Sequence, residues 1–193
     1  MRIQFSRVVI AAAASLLAAV ASAQIVVAPI DGSTVTPQTL ADSLLSPGSG
    51  ITITNVTYSG ANGATGSFSG GSAIIGIDSG VVLTSGSVDN VVGPNDDSGA
   101  STENGLPGDA DLDALAGDTT NDASVLTITF VPTGNTVQFS YVFGSEEYNE
   151  FIGQCNDVFG FFVNGSNRAL IPGTLTQVSV NSINCGIADP GVA

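Results

Sequence analysis

The sequence is short of almost everything that reactive side-chain chemistry draws on. Its 193 residues contain no His, no Trp and no Lys, two Cys, and only three basic side chains against 17 Asp and Glu. Without His there is no Ser/His/Asp or Cys/His nucleophile system and no His-ligated zinc. Without Lys there is no Schiff-base chemistry and no phosphate-loop lysine. A formal charge of −14 repels a phosphate backbone, so nucleic acid is excluded as a partner class. What remains is the chemistry of carboxylates, hydroxyls and amides, and of hard cations that prefer oxygen.

Residues 1–23 set the compartment. Arg2 and Arg7 precede an apolar run from Val8 to Val20, and Ala21-Ser22-Ala23 follows. This is the basic, hydrophobic and small-residue order of a secretory signal peptide, with cleavage expected between Ala23 and Gln24. The run of about 13 residues is short for a membrane span, and no later stretch approaches ~20 apolar residues. Residues 24–193 then carry all 17 acids with Arg168 as the sole base, a net charge of −16. The expected location is secreted, extracellular or at the cell surface.

Cys155 and Cys185 fit an oxidising space. As the only pair, they are expected to form a disulfide closing a loop of about 30 residues, with roughly 3–4 kcal/mol of stabilisation in the chain-entropy model. The alternative, a reactive thiol, needs a nearby cation, and Asp157 opposes it.

Gly is abundant at 24, and Ser, Thr and Asn are frequent, which describes a β-rich module with many turns. One helix is expected from Thr36, a capping residue, through Pro37, with Leu40/Leu44 and Ala41/Leu45 as one apolar stripe packed on a sheet. Ser46-Pro47-Gly48 ends it. Strands are expected from Ile51 and Ile53 toward Val56, over 73–77 and 81–84 around a turn at Asp78-Ser79-Gly80, and over 125–131. In 137–143, Phe139, Tyr141 and Phe143 recur at alternate positions, the clearest half-buried strand pattern in the chain. Residues 158–163 are nearly all apolar, with a turn at Asn164-Gly165. The fold class is mainly β: an antiparallel sandwich or jelly-roll-like domain with one or two short helices. Between Val92 and Asp122 the character changes: a long polar loop opens at Gly93 and continues to Gly108, functional or disordered by its length.

The acids carry the functional argument. Asp109, Asp111 and Asp113 alternate like the opening ligands of an EF-hand, but Ala114 stands where Gly is required and Thr120 where Glu is required. The choice here is between a helix cap and a calcium role, and the two are compatible. Glu146 and Glu147 follow the aromatic strand, and Asn156 and Asp157 precede the next one. Their oxygens converge only if the chain bends between them, which an irregular Ca²⁺ site built from separate loops would require. A solvated, charge-protected strand edge is the alternative.

Tyr141-Val142-Phe143-Gly144-Ser145-Glu146-Glu147-Tyr148-Asn149-Glu150-Phe151, followed by Cys155-Asn156-Asp157-Val158-Phe159-Gly160-Phe161-Phe162, closely resembles the choice-of-anchor L domain of exported bacterial surface proteins. Gly80-Val81-Val82-Leu83-Thr84-Ser85-Gly86, Gly108-Asp109-Ala110-Asp111-Leu112 and Asp122-Ala123-Ser124-Val125-Leu126 agree with it, so that the resemblance runs from Pro37 to Ile183. It implies a β domain over 24–193 that is joined to alternative C-terminal sorting tails such as PEP-CTERM. It also implies further strands beyond Ala193, so the domain is expected to be C-terminally incomplete. No catalytic residue is implied. The function expected is a non-enzymatic surface or matrix module, adhesive or binding a surface glycan or matrix protein, and stabilised by Ca²⁺. The alternative is a secreted carboxylate hydrolase using Glu146 or Glu147 with Asp157, which requires a set separation and an apolar pocket.

Overall fold

A computed structural model describes residues 24–93, 97, 99–148 and 151–184. The segment 1–23, with Ala23, and the stretch 185–193, with Cys185, lie outside the described residues.

Packing begins at Ile25, which is buried, and β1 (Val26–Pro29) follows directly. Helix α1 (Pro37–Ser43) forms where the sequence places it. The Thr36 hydroxyl accepts the Thr39 N–H at 3.1 Å and the Thr39 hydroxyl accepts the Thr36 N–H at 2.9 Å, a reciprocal cap with Pro37 in the first turn. The helix packs on β2 (Ile51–Ser59) and on β4 (Ser79–Leu83). It does so with a narrower stripe than expected. Leu40 is 1% exposed and Ala41 is fully buried, whereas Leu44 is 40% exposed because the helix has ended at Ser43.

β1, β3 (Thr65–Ser69) and β4 form one antiparallel sheet in the order β1-β3-β4. β2 pairs with β5 (Val125–Pro132), also antiparallel. This ladder contains a bulge between Ile53 and Asn55. Side chains alternate faces along a strand, so Ile51 and Ile53 would otherwise lie opposite Val56 and Tyr58. The extra residue at Thr54 resets the phase. Ile53 then stands across from Phe130, Val56 from Ile128 and Tyr58 from Leu126, all partly buried on the same side. Helix α2 (Ala110–Ala116) follows the long polar loop.

The C-terminal part is built from short pieces. β6 (Val158–Phe159) pairs with β9 (Val178–Ser179), and β7 (Phe162–Val163) with β8 (Ser166–Asn167). Asn164 and Gly165 have φ of 50° and 76°, the double left-handed turn expected of Asn-Gly. Val178 and Val180 are buried here with Ala169. The fold is thus mainly β, with antiparallel sheets and, among the described residues, two short α-helices.

Three expected strands come out differently. Residues 73–77 form a turn, in which the Ile74 and Ile75 N–H groups both donate to the Gly71 carbonyl. That local pairing satisfies the backbone without a neighbour strand. The run 158–163 is interrupted at Gly160, where a Cβ would meet the Phe162 ring and Leu115. Residues 137–143 lie in no strand, and Val137, Phe139 and Val142 are 43%, 40% and 54% exposed. The period-two pattern is real, but a ladder also needs main-chain hydrogen bonds, and among the described residues none joins 137–143 to a neighbouring segment.

Candidate functional site

The first acidic group is a structural knot. Asp109 caps α2 by accepting the N–H groups of Asp111 at 2.9 Å and Leu112 at 3.3 Å. At the other end Gly117 adopts φ 76° and its N–H closes on the Asp113 carbonyl. Asp113 accepts both the N–H and the hydroxyl of Thr120 at 2.7 Å, and the same hydroxyl accepts the Asp109 N–H at 3.2 Å. The hydroxyl and amide of Thr120 hold the Asp113 carboxyl below its ordinary range. Thr120, which fails the EF-hand pattern as a ligand, is therefore the residue that fastens the loop. Asp111 is exposed. The hydrogen bonds carry the capping role of this group.

The second group lies where 137–143 meets β6. Phe139 stacks on Phe161 with ring centroids 4.2 Å apart, and Tyr141 sits 4.9 Å from Phe159. These pairings run in opposite directions along the two segments, so 137–143 lies antiparallel beside 157–163. The same alignment brings Ser145 to Asp157, and their side chains bond at 2.9 Å. The Glu147 N–H returns to the Ser145 hydroxyl at 3.2 Å, bending the chain at this point. Burial, then the charges of Asp157 and Glu146, push the Glu147 carboxyl up, while a hydrogen bond from the Cys155 thiol partly offsets them. Although most of Cys155 is exposed, its thiol faces Glu147; burial and that charge push it up too, which disfavours a nucleophilic thiolate.

Asn156 faces elsewhere. Its side-chain oxygen accepts the Asn181 N–H at 3.0 Å and its amide donates to the Ala116 carbonyl at 3.4 Å. The Gln177 amide donates to the Leu115 carbonyl at 3.0 Å. Two amides thus satisfy carbonyls at the C-terminal end of α2 that the helix leaves open.

The structure therefore brings together Glu146, Glu147 and Asp157, with Cys155 and Ser145. Asp109 stands about 10 Å away along α2 from the end that Asn156 holds. Among the described residues, no three Asp, Glu or Cys side chains converge closely enough to hold a metal ion as they stand. A shallow cavity of about 270 Å³, lined by Ser59, Leu106, Pro107, Asp109 and Val125, opens beside the N-terminus of α2 and away from the junction.

Cys185, the expected partner of Cys155, lies outside the described residues. The Gly153 N–H donates to the Asn181 side chain at 2.7 Å, so the chain leading toward residue 185 is held against the turn that carries Cys155.

Two further carboxylates organise turns outside the candidate site. Asp122, at φ 51°, accepts the N–H groups of Asn104 at 2.9 Å and Leu106 at 2.6 Å, which hold its carboxyl low. Asp31 accepts three successive N–H groups, from Ser33, Thr34 and Val35. The second has a local cue, since Asp-Gly-Ser favours a side-chain turn; the first opens the Asp122–Leu126 block that agrees with the family, but that block does not announce its contacts with Asn104 and Leu106. Among the described residues no helix is long and apolar enough to cross a membrane.

These features define an acidic, mainly-β module whose carboxylates fasten turns. The family model for the choice-of-anchor L domain matches residues 27–192, and the chain belongs to that family. No curated protein and no solved structure matches the chain. Membership associates it with exported bacterial surface proteins, a surface-associated class that is not known for enzymatic activity.

Proposed function

We propose that the chain, exported by cleavage between Ala23 and Gln24, is a surface or matrix module whose bend at 145–157 takes up Ca²⁺. The observation that carries this is Glu147. Its carboxylate is partly buried near Asp157 and Glu146, and burial first, then their charges, raises its affinity for a proton. A divalent cation relieves the same repulsion more completely than a proton does. Glu146, Glu147 and Asp157 are the ligands of choice, after a small closure of the turn and with water in the remaining positions. Asp109, Asp111 and Asp113 are secondary candidates, since local hydrogen bonds already use oxygens of Asp109 and Asp113. A module ordered in this way suits adhesion to a surface glycan or matrix protein. A Cys155–Cys185 disulfide would lock the same turn.

Calorimetric titration with Ca²⁺, together with melting in calcium and in EDTA, tests the reading. Glu147→Gln should raise the melting temperature in EDTA, because the cost of burying a charge beside like charges is removed, and should erase the calcium-dependent gain. Absence of both heat and thermal shift in the parent chain would end the calcium proposal. A raised Glu147 beside Asp157 also has the form of an acid/base pair, which supports carboxylate-dependent hydrolysis as a second reading. The cavity beside the N-terminus of α2 does not include Glu147 or Asp157. Hydrolysis of a polysaccharide panel that Glu147→Gln abolishes would favour this second reading.

A further inference from the structure

We propose that residues 137–143 form the self-association edge of this protein, pairing antiparallel with the same segment of a second copy. The segment has the period-two pattern of a strand and lies along 157–163 through the Phe139–Phe161 and Tyr141–Phe159 contacts. Yet among the described residues no main-chain hydrogen bond joins 136–144 to any other segment. A row of backbone donors and acceptors beside exposed Val137, Phe139 and Val142 is a template for strand addition.

Charge selects the occupant and its direction. The chain is strongly acidic, so two copies repel almost everywhere, but no charged side chain lies between Asp122 and Glu146. This neutral stretch is where another copy can approach. In a parallel, in-register pair, Glu146 and Glu147 would stand about 5 Å from their own counterparts, an unfavourable contact. In an antiparallel pair centred on Tyr141, Glu146 instead faces the neutral Thr136 of the other copy. The two acidic bends are then about 34 Å apart, several times the ~8 Å screening length at physiological salt. That register also places Phe139 opposite Phe143 and Tyr141 opposite Tyr141. It extends the aromatic row that already runs from Phe161 to Phe139, the kind of cross-strand pair that stabilises sheets.

The test is cysteine cross-linking of the purified chain, read by mass spectrometry, with sedimentation over a hundredfold range of concentration at low and moderate salt. Tyr141→Cys should link to itself, and a mixture of Ser140→Cys with Val142→Cys should link across the two. Gln138→Cys should not link to itself, since the two positions lie about 20 Å apart in this register. The parent chain should show a dimer that strengthens with salt, and its 136–144 amides should gain protection from hydrogen exchange as concentration rises. A monomer under all conditions overturns the proposal. So does equal self-linking of Tyr141→Cys and Gln138→Cys. Concentration-independent protection of 136–144 also overturns it, because the edge is then covered within one copy.

Discussion

Leu40→Ala and Leu44→Ala form a matched pair that tests how α1 sits on its sheet. Both leucines belong to one apolar stripe by spacing, and a stripe alone assigns them equal weight. The structure does not: Leu40 is 1% exposed and Leu44 is 40% exposed, beyond the last helical residue. Truncating Leu40 removes its buried methyl groups and leaves a cavity between α1 and the sheets, a loss of about 2–5 kcal/mol. Leu44→Ala should cost under about 1 kcal/mol, as surface changes do. For a domain of this length, the first corresponds to a fall in melting temperature of roughly 4–20 °C and the second to at most a few degrees. Urea unfolding followed by far-ultraviolet circular dichroism measures both, and it suits a chain that has no Trp to report fluorescence. The slope against urea should stay constant, so that the midpoint alone carries the difference. Equal losses, or a larger loss at Leu44, would show that the helix lies down on a different face and refute the packing described.

Stability should also respond to pH through Glu147. Its carboxyl is raised in the folded chain relative to an unperturbed Glu, so the fold binds its proton more readily than the unfolded chain does. The destabilisation from ionised Glu147 is therefore absent below its unfolded value and grows as pH rises through its folded value. In EDTA, the stability gap between Glu147→Gln and the parent should be widest near neutrality and close in acid; a gap independent of pH contradicts the electrostatic origin. At Gly165, φ of 76° makes a side chain unfavourable. Gly165→Ala should cost about 1–2 kcal/mol, while Gly134→Ala, with ordinary φ and open space around it, should be nearly neutral in the same urea experiment.

Local chemistry was readable wherever one residue type has one strong use. Thr36 and Pro37 announce the start of α1, and Asn164-Gly165 the hairpin. The β-branched residues of 125–131 mark β5. Pairing was not readable. Residues 73–77 and 137–143 have strand composition, but composition holds no information about whether a neighbour is present at the right distance. The bulge at Thr54 was hidden for a related reason: Ile51, Ile53, Val56 and Tyr58 break strict alternation, and only the partner strand shows that they share a face. At the site, Glu146 and Glu147 lie near enough to Asp157 for their charges to act on one another, but among the described residues no three of these side chains converge closely enough to hold a metal ion. The positions of Asn156 and Gln177 at the end of α2 were not legible in the sequence, because they depend on contacts across 40 and 62 residues of chain.

Those two amides have a mechanical consequence. Asn156 is flanked by the thiol that bonds to Glu147 and by Asp157 itself, while its own amide grips the last turn of α2. Any event that tightens the acidic bend pulls on a helix that Thr120 and Asp113 have already fastened to its own loop. A change in the geometry of the bend would thus be felt in the polar stretch upstream, making that loop a gauge of the state of the acidic turn.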